Sequence, residues 1–288
     1  MHFLVTGATG FIGQSVVRAA LRNHHRVTAL VRSRAKADSL LPIDNKGLEV
    51  IECDSIAQYK LLSRYDGLIH LAWEDVGKHT DSQNLLRNLA QQFLMIQGLI
   101  NKGIRDITVS GTCLEYGLAN GSLEESATTN PASFYGLTKL TLYQMLYILQ
   151  KQQPDLQLKW LRLFYVYGKH QRLQSLYSQL TTAIQRGATA FNMSPGDQRR
   201  DFIHVDTLAH NTVAVAQQNE VSGIINVGSG IGTSVIDFVR AVLRANQYQL
   251  DLNTGFYPYH AYEPFEFWAD VTKLKKVSGA QFDDHIIA

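Results

Sequence analysis

The chain has few cysteines, few prolines and no long hydrophobic run. Cys53 and Cys113 are its only cysteines, which excludes a dense disulfide framework and leaves no ligand cluster that spells a metal site. No run approaches the ~20 apolar residues that span a bilayer. Neither charge sign dominates. The formal net charge is +2, so nothing calls for nucleic acid or an anionic membrane as a partner. No basic region precedes FLVTGATGFIG and no signal-type apolar stretch follows it, so a soluble, cytoplasmic protein is expected. Repeats, low-complexity tracts and flexible linkers are missing too. What remains is 288 residues, 45% of them hydrophobic, enough to fill a sizeable core in one large domain or two intimate ones.

Short apolar runs alternate with helical patterns. His2–Thr6 is a strand stopped by Gly7, and Ile12–Leu21 repeats at helical spacing until Asn23, the expected left-handed cap. His24 and His25 are further cap residues. Strands are expected at Arg26–Val31, Leu48–Glu52, Gly67–Ala72 and Ile107–Ser110, with a helix at Asn84–Asn101. Strand–helix alternation implies parallel strands joined by right-handed crossovers, an α/β doubly wound sheet. Further on, helices are expected at Ser133–Gln152, Leu173–Arg186 and Asp237–Ala245. Strands are expected at Lys159–Val166, Thr189–Met193, Phe202–Val205 and Ile224–Val227, whereas Asn253–Trp268 has no clear period. The domain expectation is a first part at 1–165, to which 202–227 returns, and a smaller part at 166–288.

Thr6-Gly7-Ala8-Thr9-Gly10-Phe11-Ile12-Gly13 joins the first strand to the first helix. Gly7 permits a tight turn, Gly10 lets backbone approach a pyrophosphate, and Gly13 lets helix and strand pack closely. The helix N-terminus, with Phe11 and Ile12, then offers free N–H groups to phosphate. Farther along, Tyr135 and Lys139 in YGLTK are four apart and share one helix face. A lysine beside a phenol favours the phenolate, which would make Tyr135 an acid or base near neutral pH. Val109-Ser110-Gly111-Thr112 ends a strand, where Ser110 and Thr112 face the ligand crevice and Thr112 can hold a reacting oxygen.

These motifs resemble the extended short-chain dehydrogenase/reductase family, of the NAD-dependent epimerase/dehydratase type with a Rossmann sheet. The resemblance runs through TGATGFIG, Cys53-Asp54-Ser55, HLAW at 70–73, SGTCLEYG at 110–117, YGLTK at 135–139, LRLFYVYG at 161–168 and RRDFIHVDTLA at 199–209. It implies that Thr112 polarises the substrate oxygen, that Tyr135 passes its proton, and that Lys139 also holds the nicotinamide ribose. It implies an adenine contact at Asp54 and Ser55, and a cofactor crevice lined by Leu71, Ala72 and Trp73. Asn88 resembles the helix asparagine near the site. Phe164 and Val166 would flank the nicotinamide, Tyr165 would face substrate phosphates, and Arg200 would grip the nucleotide diphosphate. His204 is a strand histidine rather than a catalytic one.

The outcome of the reaction turns on two stretches. Dehydratases of this type carry Asp-Glu after the threonine, whereas Cys113 and Leu114 stand here. Glu115, on an extended segment, would face the other way. At the end of the second strand Val31 replaces the acid that binds a ribose 2′-hydroxyl, and Arg32, Ser33 and Arg34 follow, suited to a 2′-phosphate. The favoured expectation is therefore an NADPH-dependent reductase of a nucleotide-linked 4-keto-6-deoxyhexose in surface-polysaccharide synthesis. Trp73, Cys113 and Phe191 would shape the sugar pocket, with the 256–267 aromatic segment. The alternatives are a nucleotide-sugar 4-epimerase with tightly held NAD, and a non-catalytic dinucleotide sensor. The resemblance also allows a homodimer through the Tyr135 helix and the helix before it, although the apolar stripe of Leu142, Met145, Leu146 and Leu149 would serve equally as core.

Overall fold

A computed structural model describes residues 1–53, 65–74, 82–259 and 263–282, without the side chains of 83–86. The first half runs β1 (His2–Thr6), α1 (Phe11–Arg22), β2 (Arg26–Val31), α2 (Arg34–Leu40), β3 (Leu48–Glu52), β4 (Gly67–His70), α3 (Ser82–Asn101), β5 (Asp106–Ser110), β6 (Gly121–Leu123) and α4 (Phe134–Gln152). The second runs β7 (Gln157–Leu163), β8 (Tyr165–Tyr167), α5 (Leu176–Gln185), β9 (Ala190–Asn192), β10 (Arg199–His204), α6 (Val205–Ala216), β11 (Gly223–Val227), β12 (Gly232–Ser234), α7 (Val235–Ala245), β13 (Asp251–Asn253) and β14 (Phe267–Ala269).

Seven strands form one parallel sheet in the order β11-β7-β5-β4-β1-β2-β3. Both faces are covered. Phe3, Val5, Val16, Val17 and Val213 pack on the α1–α6 side, while Leu4, Leu68, Ile96, Leu142 and Trp160 pack on the α3–α4 side. Two-sided burial shows in β1, β4 and β5, every residue of which is buried, polar ones included. From β1 the chain first builds β2 and β3 on one side, then returns to β4 and builds away on the other. The crevice beyond the carboxyl ends of β1 and β4 is therefore the topological switch point.

Two expected elements differ. Asn23 is not left-handed (φ −84°); His24, at φ 59°, makes the reversal after α1. Its neighbour His25 bonds Gln217 at 2.9 Å and ties that turn to the end of α6. The apolar run at 159–166 is two strands, because Phe164 marks a change of sheet. Before it β7 lies between β5 and β11, and after it β8 pairs with β10 in a three-stranded sheet. Beyond that crossing a further core holds Tyr167, Leu180, Phe202, Phe238 and Val242. Among the described residues no helix is long and apolar enough to cross a membrane.

Candidate active site

The turn after β1 is built for close approach. Gly7 sits at φ 69°, and a Cβ there would lie 2.6 Å from the Ala72 amide nitrogen. A Cβ on Gly13 would lie 2.1 Å from the Gly7 carbonyl oxygen, so only glycine lets α1 start against this turn. The N-cap of α1 is Gly10, with no side-chain cap and no acid in the first turn. Its amide N–H groups and positive dipole end are left for an anion. This bare cradle fits the pyrophosphate of a dinucleotide. It opens into a cleft of about 1030 Å³ whose near wall includes Gly7, Gly10, Phe11, Ile12, Gly13 and Leu71.

Trp73, Ser110, Thr112, Tyr135 and Lys139 line the middle of the cleft. The Ser133 hydroxyl accepts a hydrogen bond from the Gly136 amide at 3.2 Å and starts α4, which puts Tyr135 and Lys139 in its first turns. Thr112 and Tyr135 line the same cleft, and the Thr112 side chain exerts a small downward pull on the Tyr135 phenol. Lys139, 1% exposed, donates to the Ser110 carbonyl at 2.7 Å, and its ammonium lies 3.9 Å from the centre of the Trp73 ring. The same indole meets Tyr135 edge-on, with centroids 6.0 Å apart.

Charge in this cluster departs from the sequence expectation. Burial lowers the Lys139 pKa to about 7, against a smaller upward pull from Glu115. Burial pushes the Tyr135 phenol up, and Cys113 and Glu115 push it further, while Arg172 and the Thr112 side chain pull the other way. Desolvation is the largest of these influences, and Tyr135 holds its proton.

Leu163, Phe164, Tyr165 and Val166 form the wall where the chain changes sheet, and Cys113, Phe191 and Arg200 lie deeper. Arg200 is 2% exposed. It donates to Glu263 at 3.1 Å, to the carbonyls of Arg199 and Phe265 at 2.9 and 3.0 Å, and stands over the rings of Tyr165 and Phe267. Arg199 instead donates to the Gly232 carbonyl and covers Trp268 on the surface. His204 caps α6, accepting from the Asp206 amide at 3.3 Å.

Several expected contacts are elsewhere. Ser33 caps α2, Arg34 pairs with Asp38 at 2.7 Å, and Arg32 pairs with Glu74. These three side chains thus have partners within the protein, and none lines the cleft. Ala72 contributes its backbone behind Gly7. Asn88 stands behind the cleft, its amide group clasping the backbone N–H and carbonyl of Glu74 at 3.0 and 3.2 Å. Asp54 and Ser55 lie outside the described residues.

Glu115 corrects its expectation. The 113–116 segment is a short 3-10 helix, and Glu115 is fully buried behind Thr112. The spacing Thr112-Cys113-Leu114-Glu115 is that of a capping box, a signal present in the sequence. Arg172 and Glu263 also line the cleft, and no local pattern points to either.

A family model described as NAD dependent epimerase/dehydratase family matches residues 3–228. The chain is 27% identical over 273 residues to the dTDP-6-deoxy-L-talose 4-dehydrogenase (NAD(+)) of Aggregatibacter actinomycetemcomitans, covering 93% of this chain and 99% of that one. It is 27% identical over 309 residues to the UDP-glucose 4-epimerase of Caenorhabditis elegans, covering 88% and 86%. Among solved structures, MoeE5 in complex with UDP-glucuronic acid and NAD superposes with a TM-score of 0.83 at 26% identity, over 99% of this chain and 95% of that one. The fold is also that of the UDP-glucuronic acid 4-epimerase from Bacillus cereus, with a TM-score of 0.84 at 23% identity over 99% and 95%. With most of its length matched by the family model, the chain belongs to the NAD dependent epimerase/dehydratase family and is an enzyme.

Proposed function

We propose that the protein is an NAD-dependent 4-epimerase of a nucleotide-linked hexose. The observation that carries this is the placing of Thr112 and Tyr135 in one cleft, with Lys139 one turn on, between the glycine cradle and Arg200. NAD, when bound, supplies a hydride acceptor and donor. Gly7, Gly10 and the start of α1 hold its pyrophosphate, and Lys139, with Ser110 behind it, meets the nicotinamide ribose. Phe164 and Val166 bound the ring's side of the cleft. At the other end Arg200 lines the cleft with its guanidinium held by Glu263 and two carbonyls, so a bidentate grip on the sugar nucleotide's diphosphate would exchange the Glu263 carboxylate for phosphate oxygens. Cys113, Tyr165, Phe191 and Trp73 enclose the sugar.

For the oxidation Tyr135 must first lose its proton, which the positive charge of bound NAD would favour. The phenolate would then take the proton from the C4 hydroxyl and return it during reduction, while Thr112 hydrogen-bonds that oxygen as it changes charge. No carboxylate follows Thr112 to remove a proton from the neighbouring carbon. Cys113 and Leu114 are there, both buried, and Glu115 is tied to Arg162, which disfavours dehydration. The expectation of NADPH rested on Arg32, Ser33 and Arg34. Their engagement with Glu74, Lys36 and Asp38 withdraws that support and favours NAD.

A second outcome, one-way oxidoreduction at C4, is favoured by the near full-length match to the Aggregatibacter 4-dehydrogenase. Purified protein should interconvert C4 epimers of a UDP- or dTDP-hexose without added cofactor, followed by NMR. Stoichiometric absorbance change at 340 nm with added NAD or NADH, and no epimer, would select the one-way reaction instead. Tyr135→Phe should lower turnover by about 10²–10⁴-fold with NAD binding retained. Near-native turnover in that variant would overturn the site.

A further inference from the structure

Behind Thr112 lies a buried ionic group that the proposed proton transfer does not use. Glu115 is 0% exposed. Its carboxylate accepts from the Thr112 amide at 2.9 Å, from the Trp160 indole N–H at 3.0 Å and from the Arg162 guanidinium at 2.8 Å. Trp160 and Arg162 are alternate residues of β7, so they point to the same face and reach the same carboxylate. Gly111 makes room for the arrangement, since a Cβ there would lie 2.2 Å from the Trp160 indole nitrogen and 2.6 Å from the Glu115 carboxylate. Arg162 is fixed in turn. It donates to the Glu125 carbonyl at 3.3 Å and lies over the Tyr116 ring, whose hydroxyl donates to Asn226 at 2.7 Å.

Burying a carboxylate and a guanidinium together carries a desolvation cost that apolar side chains of similar volume would not. Here the ion pair joins β7 of the large sheet to the turn that carries Thr112. The same turn packs against the start of α4, where a Cβ on Gly136 would lie 2.5 Å from the Leu114 carbonyl oxygen.

We propose that Glu115 is a positioning residue for the reaction, fixing the backbone of Thr112 and placing the negative end of its ion pair with Arg162 behind Tyr135 and Lys139. The inference rests on the Thr112–Tyr135 reading of the site. The charge is felt at both groups, since Glu115 pulls the Lys139 pKa up and pushes that of Tyr135 up. The other titratable groups around Glu115 are Arg162 from β7, Tyr116 and Cys113 on its own turn, and Tyr143 from α4. Lys139 also faces His70 at the end of β4, and Tyr135 faces Arg172 beyond β8. His70 is held neutral by burial, with a pKa of about 3, so it does not compete with Glu115 at working pH.

Glu115→Gln removes the charge and leaves Arg162 uncompensated. In the full-length enzyme with NAD and a turned-over sugar nucleotide, kcat should fall about tenfold or more, with KM within about threefold. The limb of the pH profile set by Tyr135 and Lys139 should move to lower pH by about one unit, because a negative neighbour is lost while a positive one stays. A fall in kcat with an unmoved limb would mark a purely structural residue and overturn the proposal, as would native kcat. Glu115→Asp keeps the ion pair but withdraws the carboxylate from the Thr112 amide. It covers the case in which the glutamine variant fails to fold: it should lower kcat and, with the charge drawn back from Tyr135 and Lys139, move the same limb part of the way to lower pH, an unmoved limb again marking a purely structural residue. Native kcat in that variant would equally overturn the proposal. Tyr135→Phe, run alongside, separates the failures: if it is inactive while both Glu115 variants are native, the site stands and only this inference falls.

Discussion

Two lysines of this protein are equally buried and do different things. Lys159, on β7, is 0% exposed and donates to both oxygens of Asp106 at 2.9 and 2.8 Å and to Asn219 at 2.8 Å. It sits near the amino-terminal end of the sheet, paired in register with Thr108 of β5 and Gly223 of β11. Lys139 is 1% exposed at the opposite, carboxyl end, with the Ser110 carbonyl and the Trp73 ring as its partners and Glu115 acting only through space. One ammonium is saturated by a carboxylate and closes the core. The other is buried beside a cleft with no carboxylate in contact, and its pKa falls to about 7. Burial alone does not mark a functional lysine; burial without a counter-ion, facing a cavity, does.

The comparison can be tested from both ends. Lys139→Met should cost about 10²–10⁴ in kcat, measured at saturating substrate, with no fall in melting temperature at neutral pH. Lys159→Met should do the reverse. It strands Asp106 in the core and should lower stability by about 3–5 kcal/mol in urea unfolding, with kcat per folded molecule unchanged. Replacing the pair, with Lys159→Met and Asp106→Leu together, should recover most of that loss.

The next effect is smaller and depends on pH. Folded Lys139 sheds its proton at about 7, whereas its ordinary value is 10.5. Between those values the unfolded chain binds more protons, so this group makes stability rise with pH, and the gain is lost as pH falls through about 7. Lys139→Met should remove about one proton's worth of that slope in denaturation series across the window. The smallest effect concerns the exposed Arg32, whose partner Glu74 is a surface-type contact. Arg32→Ala should change stability by about 1 kcal/mol or less, and the ratio of NAD to NADP turnover by about threefold or less.

Local chemistry made the first half of the site legible. The turn at Gly7–Gly13 requires glycine for steric reasons that act within a few residues, and the Tyr135–Lys139 pair depends only on helix periodicity. The basic cluster at 32–34 misled, because residue type cannot say whether a cation meets a ligand or Glu74, forty-two positions away in sequence. Glu115 is a different case. Its capping-box spacing was present but an extended segment was expected; the segment turns instead, and Glu115 still faces away from the cleft, onto Trp160 and Arg162.

The sequence by itself determined the alternating parallel sheet, the glycine turn before α1 and the shared helix face of Tyr135 and Lys139, because each follows from short-range sterics or a period of two or 3.6 residues. Only the tertiary structure decided which charges are paired. Arg162 with Glu115, Lys159 with Asp106, Arg200 with Glu263 and Arg32 with Glu74 all join distant segments. Ion pairing and desolvation are properties of the assembled environment, so the protonation of Tyr135 and Lys139 was set there and not in the local sequence.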